Sequence, residues 1–115
     1  MSTHGDTAQG FTIESRGGAV LVRAWGFWSV EFVPEFLPPV MAALEAAGKG
    51  GAFTIDLKDL RPLRDEGQAA FRQLMTRALA HGSWVIELQG ASALTKLQML
   101  RLTRELGAQD RIRVT

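Results

Sequence analysis

The chain has 115 residues, of which 46% are hydrophobic and 22% charged, and its 13 Lys plus Arg against 12 Asp plus Glu leave a formal charge of +1. This composition is too apolar for a disordered chain, gives room for one core, and supplies no global field to hold phosphate backbones, so nucleic acid is not an expected partner. The absence of cysteine excludes disulfides, thiolate catalysis and cysteine-ligated metal together.

Residues 1–10 are small and polar and are expected to form a disordered N-terminal arm, with the folded domain spanning 11–115. No early apolar run has the form of a signal peptide, and none approaches the roughly 18 apolar residues of a membrane span. A cytoplasmic protein without stable membrane insertion is expected, alone or as a small oligomer such as a homodimer.

Residues 11–15 alternate apolar and polar, and 19–25 are rich in β-branched side chains. Gly17-Gly18 between them predicts a two-residue hairpin turn, because both central positions can take positive φ without steric cost. Phe32, Phe36, Leu37, Val40, Met41 and Leu44 then follow the helical period. Pro34, Pro38 and Pro39 predict a short turn over 29–37 and a regular helix over 38–47, stopped by Gly48. Residues 52–57 form a short apolar run that reads as a central strand buried on both faces, followed by a loop over 58–64. An amphipathic helix over 68–81 turns Phe71, Leu74, Met75, Ala78 and Leu79 to one side. A strand over 84–88 follows, then a helix over 94–106 with Leu94, Leu97, Leu102 and Leu106 inward, and a last strand over 110–114. The expected class is α/β: an N-terminal β-hairpin, then alternating strands and helices on a mostly parallel or mixed five-stranded sheet.

The element order and the segment from Asp56 to Gly67 resemble the STAS domain, the family of sulphate transporters and anti-sigma factor antagonists. The resemblance covers the chain from Phe11 onward. Asp56-Leu57 matches the family's strand end, and Arg64-Asp65-Glu66-Gly67 stands where the family carries Asp-Ser-Ser/Thr-Gly, so Gly67 alone matches. The last helix is also longer than is typical of the family. The resemblance implies a regulatory domain that docks a protein partner, a regulatory kinase or sigma-related factor, through this loop. In phosphoregulated members a hydroxyl of the motif is phosphorylated; Asp65 and Glu66 cannot be, so the expectation is a divergent member with fixed charge in place of a switch.

Arg61, Arg64, Asp65, Glu66 and Gly67 are therefore the candidate partner-binding residues. Asp65 and Gln68 have capping-box spacing, and both carboxylates suit the positive end of a helix dipole; holding a cation or acid–base work is the alternative for this pair. Arg61 and Arg64 could meet an acidic partner or an anion, or be solvated, with Asp56 and Asp59 completing a mixed-charge cluster. Phe27 and Trp28, in an aromatic-dense turn, are candidates for apolar docking, while Trp25 and Phe32 are expected in the core. Lys96, Arg101, Arg104, Arg111 and Arg113 give the C-terminal portion a basic bias that reads either as a face for nucleic acid or acidic lipid or as a solvated helix face.

His81 is expected to act locally, favouring a helix C-terminus as a charged imidazole, and His4 lies in the arm, so no metal site is expected. Ser92 lacks a nucleophile elbow, and Gly48-Lys49-Gly50-Gly51 lies in the wrong order for a phosphate loop. No catalytic residue and no cofactor are expected. The functional expectation is a non-enzymatic regulatory or protein-interaction domain; the alternative is a carrier or sensor of an apolar ligand or lipid.

Overall fold

A computed structural model describes residues 1–115. Its strands are β1 (Ser2–Gly5), β2 (Gln9–Arg16), β3 (Ala19–Gly26), β4 (Gly50–Leu60), β5 (Ser83–Gln89) and β6 (Ile112–Val114), and its helices are α1 (Leu37–Ala47), α2 (Asp65–His81) and α3 (Ala93–Glu105), with a 3-10 turn at Val33–Glu35. The strands lie in the sheet in chain order: β1, β2 and β3 are antiparallel, and β3 through β6 are parallel. The α/β class, the opening hairpin and the alternation that follows it are as the sequence predicts, on a mixed sheet of six strands where five were expected.

The sixth strand comes from the supposed arm. Asp6 Oδ1 accepts hydrogen bonds from the N–H groups of Ala8 and Gln9 at 2.8 and 3.2 Å, which turns the chain back on itself. Residues 2–5 then pair with β2 from Ser2–Ile13 to Gly5–Gly10, and the His4 ring stacks on Phe11 with centroids 4.7 Å apart. The polarity of this segment reflects an edge strand closed by a side-chain turn. Between β2 and β3, Gly17 and Gly18 both have positive φ, 56° and 83°, in the tight turn their pairing requires.

Each parallel strand is added on the same side of the one before, so three right-handed crossovers put α1, α2 and α3 on one face of the sheet. Burial follows that geometry. Val20, Val22, Phe53, Ile55, Trp84, Ile86 and Leu88 point to the helices and are buried, while Leu21, Arg23, Thr54, Asp56, Val85 and Glu87 alternate with them and are not. β4 is therefore buried on one face only, against the expectation of two, because no helix covers the other side. Arg23 pairs with Asp56 at 3.3 Å and Arg113 with Glu87 at 3.6 Å across that open face. Trp25, expected in the core, lies over the backbone of Gly10, and its Nε1 donates to the Asp6 carbonyl at 2.7 Å.

β4 also runs three residues further than its apolar run. Arg23 pairs with Asp56 but Trp25 pairs with Asp59, so Ala24 of β3 faces two residues of β4, Leu57 and Lys58. This bulge shifts the alternation by one. Phe53, Ile55 and Leu57 are buried in turn, and the next buried residue is Leu60, where unbroken alternation would have turned Asp59 inward.

Under the helices, Phe11, Trp28, Phe32, Phe36 and Phe71 form one aromatic group. Phe36 stacks on Phe71 at 4.9 Å and meets Phe11 edge-on at 5.2 Å, and Trp28 lies 4.8 Å from Phe36. α1 tolerates Pro38 because the first helical turn has no intrahelical acceptor for its N–H groups. α3 is rotated from its expected setting: it buries Thr95, Met99, Leu102 and Thr103 and leaves Leu94 and Leu97 outside. Both threonine hydroxyls find backbone acceptors, Thr103 donating to Met99 O at 2.8 Å and Thr95 facing Leu60 O at 3.5 Å, which removes the cost of burying them.

Candidate functional site

The loop between β4 and α2 lies beyond the carboxyl ends of the parallel strands, beside the segment that follows β3. The Arg61 N–H donates to the Gly26 carbonyl at 3.0 Å, tying the two together. At its centre Leu63 is buried and both of its backbone polar groups are held by side chains. Its N–H donates to Gln98 Oε1 at 2.9 Å, and its carbonyl accepts from Gln98 Nε2 at 2.8 Å and from Gln68 Nε2 at 3.1 Å. Gln98 on α3 thus acts as a surrogate strand for one residue of the loop.

With Leu63 fixed inward, its neighbours Arg61 and Arg64 are exposed. The Arg64 guanidinium sits over the Phe27 ring, 5.1 Å from its centroid, a cation–π geometry that covers part of an aromatic face left 45% exposed. Two candidate residues from separate crossover segments are thereby joined. Trp28 is a correction: it is 2% exposed, belongs to the aromatic core and donates from Nε1 to the Trp25 carbonyl at 3.1 Å, so it offers nothing for docking.

Asp65 and Glu66 occupy the first turn of α2, both exposed and neither in an ion pair or side-chain hydrogen bond of the fold. Asp65 does not cap the helix. The cap position is Arg64, in extended conformation and without a side-chain cap, and Gln68 reaches back to Leu63 instead of closing a capping box. The two carboxylates keep their favourable place at the positive end of the helix dipole. Gly67 is buried, and a Cβ there would lie 2.8 Å from Leu63 Cδ2, so it shapes the loop from within and is not a contact residue for a partner. Asp56 is likewise separated from the loop by its ion pair with Arg23 on the open sheet face.

Glu66 stands on the rim of an open groove of about 400 Å³ between α1 and α2. Val33, Pro34 and Leu37 form one wall, and Ala69 and Gln73 the other. The groove and the Gln98 clamp are the parts of the site that the sequence did not disclose, since Gln98 lies 35 residues from Leu63 and looks like any polar residue of a helix.

The histidines stand apart from this surface. His81 Nδ1 accepts from Trp84 Nε1 at 3.3 Å at the end of α2, and His4 lies against Phe11. No three His, Cys, Asp or Glu residues converge on a point that could hold a metal ion. The surface thus combines a cation on an aromatic ring, two exposed carboxylates at a helix start, and an adjoining apolar groove. Comparison with protein-family models and with curated proteins finds no match for this chain.

Proposed function

We propose that the chain is a non-enzymatic, STAS-like regulatory domain that docks a protein partner through the surface formed by Phe27, Arg61, Arg64, Asp65 and Glu66 and the adjoining groove. The observation that carries this is the Arg64–Phe27 pair on a loop whose backbone is clamped at Leu63. A loop held in one conformation loses little entropy on binding, and an exposed Arg stacked on an aromatic ring is the kind of anchor that dominates interfaces. The resemblance of the loop to the partner-docking segment of STAS domains supports the same surface, with a cytoplasmic regulatory kinase or sigma-related factor as the partner class. Fixed carboxylates in place of hydroxyls make the docking constitutive.

The test is a pull-down from native cells with wild type and an Arg64→Glu plus Glu66→Lys double variant. Partners retained by wild type and lost by the variant support the surface; equal recovery, or none by either, removes it. The alternative of an apolar-ligand carrier has only Phe27 of the two proposed aromatic contacts left at the surface.

A further inference from the structure

The outward crest of α3 carries exposed apolar residues that lie outside the loop site. Leu94, Leu97 and Leu100 recur every three residues and are 60%, 59% and 38% exposed, on the side of the helix opposite buried Thr95, Met99, Leu102 and Thr103. Lys96, Arg101 and Arg104 are exposed among them. None of the three cations is neutralised: the ion pairs of the fold use Arg16, Arg23, Arg72 and Arg113. Glu105, the one carboxylate on the helix, is occupied by Arg72 at 3.0 Å. The other basic residues of the C-terminal portion point elsewhere, Arg111 onto the carbonyls of Leu79, Gly82 and Trp84, and Arg113 onto Glu87 across the open sheet face.

The crest therefore combines three exposed leucines with three unpaired cations and no free acid. A second copy of the chain is a poor cover, because two such crests repel. A partner helix needs a groove, and no cavity of the fold borders this face: the three that exist are lined by the hairpin and open sheet, by β5 and β6, and by α1 and α2. A nucleic acid would satisfy the cations and leave the leucines in water. We propose that α3 docks peripherally on an anionic lipid bilayer, its leucines entering the headgroup boundary and Lys96, Arg101 and Arg104 meeting the lipid phosphates and carboxylates. The association is superficial, since no helix is long and apolar enough to cross a membrane. It uses a surface different from the partner-docking loop.

Co-sedimentation of the full chain with vesicles tests it, using phosphatidylcholine alone and an equimolar mixture with phosphatidylserine, at low and at physiological ionic strength. Binding to the phosphatidylserine vesicles only, weakened by salt, is expected. Arg101→Glu plus Arg104→Glu should weaken it by more than about tenfold, and Leu94→Gln plus Leu97→Gln by about tenfold. Arg16→Glu, a charge reversal on the distant hairpin, should leave it unchanged. Circular dichroism and the thermal midpoint verify that these surface variants remain folded. The proposal is overturned if wild type fails to sediment with phosphatidylserine vesicles at low salt, even where α3 instead cross-links to a protein. It is overturned equally if the leucine variant binds as wild type does, or if Arg16→Glu weakens binding as much as the α3 reversals.

Discussion

The side-chain amide of Gln98 satisfies both backbone polar groups of Leu63, accepting from its N–H at 2.9 Å and donating to its carbonyl at 2.8 Å. One residue of the β4–α2 loop is thereby fastened to a helix that follows it by two further elements. Gln98→Ala leaves the N–H of a buried residue without a partner, while Gln68 still serves the carbonyl. A loss of about 1–3 kcal/mol in urea unfolding is expected, with faster amide exchange confined to residues 61–64. Unchanged exchange there would show that the clamp does not hold the loop.

Phe27 and Trp28 are adjacent in sequence and opposite in role. Trp28→Ala opens a hole among Phe11, Phe32, Phe36 and Phe71 and should cost about 3–5 kcal/mol of stability. Phe27→Ala removes an exposed ring and should stay within about 0.5 kcal/mol of wild type, while weakening partner capture. Thermal or denaturant unfolding of the two variants side by side measures the contrast.

Asp65 separates two electrostatic roles by magnitude. As a capping residue its replacement by Ala would cost about 1 kcal/mol; as a first-turn carboxylate without a cap bond it should cost about 0.3–0.5 kcal/mol, and less as salt is added. Denaturant unfolding of Asp65→Ala at low and high ionic strength distinguishes them. A salt-independent loss near about 1 kcal/mol would restore the cap.

Arg111 holds the junction of α2 and β5, donating to the Gly82 carbonyl at 2.6 Å and to those of Leu79 and Trp84 at 3.4 Å. Charge-assisted bonds to the last carbonyls of a helix are the stronger kind. Arg111→Met keeps much of the side-chain bulk and should still destabilise by about 1.5–3 kcal/mol. Arg113→Met, which breaks an exposed pair with Glu87, should cost less than about 1 kcal/mol. Equal losses would mean that the carbonyl contacts contribute nothing beyond a surface charge.

The local signals in the chain were the readable ones. Gly17-Gly18 defines the hairpin, and the period of Phe71, Leu74, Met75 and Ala78 defines the inner face of α2, because turn sterics and helical spacing act between near neighbours. Features that depend on partners far along the chain were not readable. Thr95 and Thr103 look like surface residues of α3 until backbone acceptors are found for them, and their burial beside Met99 and Leu102 leaves Leu94 and Leu97 off the core face. The loop was found through its charged residues and its resemblance to a known motif, but its rigidity comes from Gln98, and the meeting of Arg64 with Phe27 comes from the parallel pairing of β3 with β4.

The bulge in β4 works as a phase shift. With two residues of β4 opposite Ala24, Leu60 turns toward the helices and Arg61 toward solvent. Drawn out into strict alternation with all its residues kept, the strand would turn Asp59 inward, present Leu60 to water and drive Arg61 toward the core, whereas deleting Lys58 would remove the bulge and leave Leu60 facing the helices. The orientation of the β4–α2 loop is thus set by a single supernumerary residue in a strand, and the length of β4 is as much a determinant of that surface as the side chains displayed on it.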